Sequence, residues 1–486
     1  MDYQIKAHGA SQLEIKIGYP LDSRRKENRY RMSTVFFIPS QLGVSDSSFS
    51  RDKILSDLTV HTRFTTPRIA LDDLVDSSCE ASPLNRLAQL WKQEPRKGDW
   101  RKRVIYELKT LVNIVLSETG RGLDENRLPM EKSFPSVVED IIGSLLTRLQ
   151  ELESLPVKKG RVKKSLIWTL EALTWLFSDY ILTTLKEWPD QEENRKRQNR
   201  LEKCFSYLGG VRKKYGWRLP VDLDSQGAEA FVYRSHQLKK WSQESLYLSA
   251  VHSRAAERVG QFLLGLAAAV AMAFALGATL ISSRLFPEGS LYWALIAIAA
   301  YSVKDRMKEN LRFLFLRISP FLVADRMQRL RDPRSGRNCG RIRESVTFSD
   351  SRQLSDLALL YRRAGKDKLS RGLMKEDILK YKRDFRIRSV PLFRNHSRLE
   401  GITDIVRLNL GDWLRKMDSS TEILNCREGD SVKELRCSRV YHVNLVLILE
   451  NRHTGETGPV VRFRIILGQN GIHRVEELQL SGLEDS

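Results

Sequence analysis

The sequence predicts an α+β membrane protein, in which a transmembrane helical hairpin joins a mainly helical N-terminal cytoplasmic region to an α+β C-terminal domain with an antiparallel meander. Three observations lead to this fold class. A long uncharged stretch lies near the middle of the chain, helical periodicity dominates the residues before it, and alternating apolar residues dominate the end. The length of 486 residues is enough for about three domains.

The uncharged stretch covers residues 261–281. At about 1.5 Å per residue, a helix of this length crosses the roughly 30 Å hydrocarbon core of a bilayer. A short turn leads into a second apolar run, residues 291–303, which is long enough to cross only if Lys304 snorkels. The two runs together predict a two-span hairpin over residues 259–303. A re-entrant or interfacial second helix is the alternative.

Charge sets the expected orientation of this hairpin. Arg254 and Arg258 precede the first run, and several cations follow the second. Positively charged flanks stay in the cytoplasm, so the sequence places both termini on the cytoplasmic side of a cell inner membrane. The cations after the hairpin are also expected to contact anionic lipid headgroups. They are Lys304, Arg306, Lys308, Arg312 and Arg317.

Small residues recur every four positions along one face of the first run. Such a ladder lets helix backbones approach each other within lipid, where no hydrophobic drive between helices exists. It predicts either packing against the second helix or self-association of several hairpins into a homo-oligomer. The ladder consists of Gly265, Ala269, Ala273 and Gly277.

The rest of the chain is expected to form cytoplasmic units on both sides of the hairpin. Residues 1–75 alternate like the strands of a small α+β unit, and residues 83–222 have the periodicity of a helical domain. Residues 226–258 are predicted as a long helix that leads to the membrane. A basic amphipathic juxtamembrane segment, 304–345, and an α+β domain, 346–486, complete the division.

One helix of the N-terminal region is apolar enough to raise the question of a further span. Residues 166–185 contain long apolar runs, but Glu171 and Asp179 interrupt them. An acid at the centre of a bilayer is costly. The sequence therefore favours a buried helix of a soluble bundle here.

The C-terminal domain is predicted as one helix packed on a meander. The helix follows from an apolar stripe over residues 402–417, and the strands follow from alternation over 441–450, 460–468 and 472–478. Asn470-Gly471 is typical of a tight hairpin turn.

Two strands of this meander carry a candidate polar patch. His442 and Asn444 share one face of the first strand, and Arg462 and Arg464 share one face of the second. If the register aligns them, they form a cationic, hydrogen-bonding surface. An ordinary solvated sheet face is the other interpretation.

Sequence motifs for catalysis are absent, so no catalytic residue is assigned. The chain lacks a G-x-x-x-x-G-K-[ST] loop for phosphates and lacks paired histidines at helical spacing. Its five cysteines are scattered without a C-x-x-C pair, which disfavours a zinc or redox site. We therefore expect neither a cofactor nor a bound metal.

The net charge of +21 is shared between the regions before and after the hairpin. The chain has no recognition helix and no stacking motif to accompany this charge, so the sequence disfavours nucleic acid as a partner. The preferred hypothesis is a non-enzymatic scaffold or regulatory protein that binds protein partners at the inner membrane. The alternatives are a membrane-surface enzyme acting on a lipid or phosphorylated substrate and a membrane tether for nucleic acid.

Overall fold

The computed structural model divides the chain into two compact units. The β unit comprises Met1–Thr62, Leu248–Arg394 and Ile402–Ser486, and the helical unit comprises Arg63–Tyr247 and Asn395–Gly401. The structure describes residues 1–92, 99–124, 134–154, 160–187, 195–218, 225–253, 255–287, 290–322, 324–350, 354–363, 375–418, 421–429 and 431–478.

The β unit is built around a large antiparallel sheet whose strands come from both ends of the chain. In the described residues its order is β14-β13-β12-β3-β8-β7-β6-β5. The strands are β3 (Glu27–Pro39), β5 (Ser249–His252), β6 (Arg326–Arg331), β7 (Asn338–Ser349), β8 (Glu376–Arg388), β12 (Tyr441–Asn451), β13 (Thr457–Gly468) and β14 (Gly471–Leu478).

Two smaller sheets accompany it in the described part of the unit. One has the order β1-β2-β9-β4, and the other pairs β10 with β11. Their strands are β1 (Asp2–His8), β2 (Gln12–Pro20), β4 (Leu58–Phe64), β9 (Gly401–Asn409), β10 (Thr421–Glu428) and β11 (Ser431–Ser438).

The sheet that contains β2 and β9 covers one face of the large sheet, which we call the inner face. Alternate residues of β3 and β8, such as Met32 and Phe385, point inward and are buried. The Phe385 ring lies 4.9 Å from the ring of Tyr19 on β2, measured between centroids. The opposite, outer face is covered at one end by α11 (Asp356–Arg363), which packs on Phe37 and Ile378.

Short helices fill the loops of the β unit. Ser50 caps α1, since its side chain accepts a hydrogen bond from the backbone N–H of Lys53. The short helices are the 3-10 turn Ser40–Leu42, α1 (Arg51–Asp57), α12 (Ser389–Asn395) and α13 (Gly411–Leu414).

The helical unit has a single apolar core. Its central helix, α6 (Gly160–Glu187), buries side chains along most of its length. The interpretation of residues 166–185 as a buried helix is therefore confirmed. Glu171 lies within this core, where both of its oxygens accept hydrogen bonds from Arg234. The other helices are α2 (Leu71–Val75), α3 (Pro83–Lys92), α4 (Trp100–Asp124), α5 (Phe134–Ser154), α7 (Arg195–Lys214) and α8 (Ser225–Gln243).

The long helices α9 (Ala255–Leu285) and α10 (Leu291–Leu322) belong to the β unit and pack against each other. Within the described residues, one helix segment is long and apolar enough to cross a membrane, Gln261–Leu285 of α9. In α10, the apolar run ends at Val303 and a mixed series of charges follows. The predicted two-span hairpin is therefore wrong, because α10 is too polar to be a second span, whereas the α+β character agrees with the structure.

Two further sequence predictions differ from the structure. The helix expected to lead into the membrane over 226–258 ends at Gln243, and β5 precedes α9. The helix expected over 402–417 is mainly strand β9, because residues 402, 404, 406 and 408 are buried in alternation. The apolar spacing fits both periods, and pairing with β2 and β4 decides for the strand.

The predicted meander is confirmed as β12, β13 and β14, which pair antiparallel in sequence order. It does not stand alone. Strand β12 also pairs with β3, so the meander extends a sheet that residues 1–62 help to build. The structure thus joins the two ends of the chain in one unit.

Candidate functional site

The outer face of the large sheet carries a repeated basic pattern. Four adjacent strands, β6, β7, β8 and β3, each contain an arginine, an apolar residue and a second arginine, at 329–331, 341–343, 386–388 and 29–31. A fifth triplet, 462–464 on β13, lies outside this series. Because side chains alternate across a strand, both arginines of each triplet share a face. The apolar residue between them, such as Ile342 or Ile387, is buried on the inner face.

The register places one arginine from each triplet side by side. Arg329 lies opposite Arg341, Arg341 opposite Arg386, and Arg386 opposite Arg29. We call these four residues the arginine row. Neighbouring strands are about 4.8 Å apart, so the row extends about 14 Å across the sheet.

The residues next to the row on the same face have balanced charges. Arg31 donates to both oxygens of Asp384, at 2.6 and 3.2 Å. Arg343 lies opposite Asp384, and Glu450 lies opposite Arg31 on the other side. This neighbouring row is therefore close to neutral, and the uncompensated charge is concentrated in the arginine row.

Three members of the arginine row and several neighbouring residues line an open groove. Its described lining consists of Arg29, Tyr30, Arg31, Arg341, Arg343, Asp384, Phe385, Arg386 and Arg452. Tyr30 and Phe385 are buried and turn their rings to Tyr19 on the inner side. Among the described lining residues, guanidinium groups therefore dominate what faces the groove.

Like charges perturb the groups in this groove. Partial burial and the nearby Arg343 and Arg386 lower the pKa of Arg341. Burial and the neighbouring Lys382 similarly lower the pKa of Lys380, farther along β8. Both shifts have the sign expected where positive charge is not fully neutralised.

The inner face of the same strands holds a different ionic cluster. Arg383 is fully buried and donates to both oxygens of Asp404, at 2.8 and 3.2 Å, and to Glu344. Tyr381 also donates to Glu344, at 2.6 Å. Arg383 and Tyr381 help to lower the pKa of Glu344 against the effect of its burial. Every charge here has an ionic partner, which is typical of a structural cluster.

The predicted polar patch on the meander is partly brought together. Arg462 donates to the side-chain oxygen of Asn444 at 2.9 Å, and both side chains are buried. Arg464 lies opposite Asn444 and 3.6 Å from the carboxylate of Glu476. His442 is half-buried, and burial lowers its pKa. Burial also lowers the pKa of Arg462 to about 10.

The cations predicted to contact lipid lie on α10. Arg306, Lys308 and Arg312 are exposed, whereas Lys304 is half-buried with its ammonium 3.5 Å from the centre of the Tyr301 ring. The side chain of Arg317 lies outside the described residues. The structure thus leaves at least three of these cations accessible.

The small-residue ladder does not form the contact between the two long helices. Gly265, Ala269 and Ala273 are exposed, and Gly277 is half-buried. The buried positions of α9 are instead offset from the ladder, at Ala267 and Ala271. The expectation that the ladder packs against the second helix does not fit this geometry.

A pocket in the helical unit was not expected from the sequence. It is lined by Trp175, Trp217, Phe231 and other residues around the Glu171–Arg234 pair. Arg212, also in its lining, donates to the backbone oxygen of Arg218 and to Thr174 at 3.1 Å. Glu171, Arg212 and Arg234 in this lining are engaged with one another, with backbone or with Thr174.

Sequence reasoning missed the arginine row. The R-x-R triplets with a buried central residue are a usable signal, because they show that both arginines lie on the same face of a strand. They do not show which residues of other strands lie beside them. Their alignment depends on the pairing of strands from opposite ends of the chain. Within the described residues, no group of three or more His, Cys, Asp or Glu side chains could hold a metal ion.

No protein-family model, curated protein or solved structure matches this chain.

Proposed function

We propose that the protein is a membrane-attached scaffold or regulatory protein, embedded through α9, whose units bind protein partners at the cytoplasmic side of an inner membrane. The observation that carries the proposal is the uncovered apolar surface of α9. Its outward side chains, such as Phe262, Leu280 and Ile281, are 70, 65 and 61 % exposed.

Such a surface is unfavourable in water. Burying apolar area is worth roughly 25 cal/mol per Å², and soluble monomers rarely expose patches above a few hundred Å². Only 11 % of the most apolar 18-residue segment of α9 is buried within the protein. Lipid covers such a helix at no cost to its backbone, because all of its internal hydrogen bonds are made within the helix.

The strands that flank the long helices bring both ends of the α9–α10 pair to one sheet of the β unit. Strand β5, just before α9, pairs with β6, just after α10. The backbone N–H of Ser253 also donates to the carbonyl of Met327 at 2.8 Å. The chain therefore leaves and rejoins the same sheet at adjacent strands.

The exposed cations of α10 favour the cytoplasmic side. Arg306, Lys308 and Arg312 follow the apolar run of that helix, and positively charged flanks stay in the cytoplasm. Each cation near an anionic membrane surface contributes about 1 kcal/mol to binding. We propose that these residues contact anionic lipid headgroups.

Alkaline extraction of membranes tests the attachment. Val270 and Phe274 are exposed on α9, and an Arg at the centre of a span costs about 2.5–3.5 kcal/mol. We expect the wild-type chain to stay in the pellet and the Val270→Arg/Phe274→Arg variant to move to the supernatant. The matched control is Val432→Arg on the exposed hairpin β10–β11, which should stay in the pellet. Release of the wild-type chain by alkali would contradict the proposal.

Native thiols test the side of the membrane. Cys426 is exposed on β10. An impermeant maleimide should label it only after intact cells are permeabilised. Labelling of intact cells would place the β unit outside.

Co-purification tests the partner. Full-length protein in mild detergent should retain a protein in a fixed ratio. Retention of lipid or a metabolite without such a protein would contradict the scaffold proposal.

A further inference from the structure

The arginine row is electrostatically unfavourable as it stands. Like charges directly opposite each other on neighbouring strands destabilise a sheet. Here the register aligns four such charges in succession.

Direct ion pairs reach only one end of the row, and Glu27 acts on Arg341 only through space. Glu27 is paired with Arg29 at 2.9 Å and also with Arg386. Among the described residues, no hydrogen bond or ion pair joins the guanidinium groups of Arg341 and Arg329 to a protein group. Four guanidinium groups against one carboxylate leave about three charges for an external anion to neutralise.

The residue type indicates the chemistry of that anion. The planar guanidinium group binds phosphate oxygens in pairs, whereas lysine offers only a point charge. All members of the row are arginines. A ligand whose anionic groups present paired oxygens, phosphate among them, is therefore favoured.

The shape of the site favours an extended strand. The row runs across the sheet for about 14 Å, and Arg29, Arg341 and Arg386 line an open groove, so successive phosphates of one strand can each meet a guanidinium group. The described lining offers no ring for base stacking, because Tyr30 and Phe385 are turned inward. Contact with the backbone alone does not read sequence.

We propose that the arginine row binds the phosphate backbone of a single-stranded nucleic acid without base specificity. This inference goes beyond the proposed function, since it holds whether or not α9 anchors the chain. The sequence disfavours nucleic acid for lack of a recognition or stacking motif, and a site of this kind needs neither. The net charge of +21 steers such a polyanion to the protein.

The experiment measures binding of full-length protein in detergent to fluorescent oligothymidylate and oligoadenylate across a salt series. For single strands, log K falls with log salt with a slope of about −0.7 per neutralised phosphate. We expect a slope of about −2 for both oligonucleotides. The Arg329→Gln/Arg341→Gln variant should bind at least about ten-fold more weakly, with a slope of about −0.7.

Two controls isolate the row from general charge and from folding. The variant Lys433→Gln/Arg436→Gln removes the same charge from the exposed hairpin β10–β11 and should leave affinity within about two-fold. Arg341→Lys keeps the charge and should keep the slope. Unfolding temperatures of the variants should be no lower than that of the wild-type chain, and inorganic tripolyphosphate should compete with the oligonucleotide.

Three outcomes would overturn the proposal. One is equal binding by the row variant and the hairpin variant, which would assign the affinity to net charge. Another is failure of the wild-type chain to bind either oligonucleotide at low salt. The third is row-dependent binding only to vesicles of phosphatidylglycerol and phosphatidylcholine, which would identify a lipid headgroup as the occupant.

Discussion

On the two faces of strands β7 and β8, arginine side chains have opposite electrostatic environments. On the inner face, Arg383 lies opposite Glu344 and also pairs with Asp404. On the outer face, only a few residues away, Arg386 lies opposite Arg341. The same two strands therefore neutralise positive charge on one side and accumulate it on the other.

The difference follows from access to water. Removing an ion from water costs several kcal/mol unless charges or hydrogen bonds compensate it, so the fully buried Arg383 requires its two carboxylate partners. Water and salt screen the outer face, where adjacent like charges cost only fractions of a kcal/mol. A sheet can thus tolerate an arginine row where it is open, and this tolerance leaves charge available for a ligand.

The largest expected effect comes from breaking the inner cluster. Arg383→Met leaves Asp404 buried without its cation and Glu344 with Arg326 alone, and loss of one partner of a buried pair costs about 3–5 kcal/mol. Denaturant unfolding of the full chain should show this loss in the transition of the β unit. Arg386→Met, which removes an outer-face arginine from the same strand, should cost no more than about 1 kcal/mol. Equal losses would show that the two faces are electrostatically alike.

An intermediate effect is expected where the outer face is buried. Arg462 belongs to that face but is buried and donates to Asn444. Asn444→Leu removes that acceptor, and loss of a hydrogen bond to a charged group costs about 1.5–3 kcal/mol. Thermal unfolding measures the difference. The substitution Asn451→Leu near the exposed end of the same strand should change the unfolding temperature little, and a larger effect there would argue against burial as the cause.

The smallest effect should have the opposite sign. Arg341→Glu places a carboxylate between Arg329 and Arg386, and opposite charges on neighbouring strands contribute about 0.2–1 kcal/mol. The unliganded variant should therefore be more stable than the wild-type chain at low salt. The gain should disappear near 1 M salt, where the Debye length is about 3 Å. A destabilised variant would mean that Arg341 has a structural role.

Sequence patterns identified the elements whose environment is local. Residues 30–38 alternate or run apolar and form most of β3, and the meander follows from alternation and the Asn470-Gly471 turn. Residues 402–417 show the limit of such patterns. Their apolar spacing fits a helix and a strand equally, and only the partners β2 and β4 select the strand.

The membrane segment shows the same division between composition and context. The composition of residues 261–281 was sufficient to identify a helix that could cross a bilayer. The prediction of a second span was wrong because it rested on the apolar residues of α10 alone. It did not account for the charged residues that follow Val303 in the same helix. The ladder at Gly265 and Ala269 was visible in the sequence. Only the structure shows that it lies on the exposed side of α9, because Ala267 and Ala271 are the buried positions.

The sequence by itself determined the α+β character, the apolar helix α9 and the face that each R-x-R triplet presents, because these depend on periods of two or 3.6 residues along the chain. Only the tertiary structure decided that β3 pairs with β8 and β12, so that the two ends of the chain form one sheet. Only that pairing aligns Arg29 with Arg386 and Arg341. Register between distant strands depends on which faces are buried together, and no local pattern encodes it.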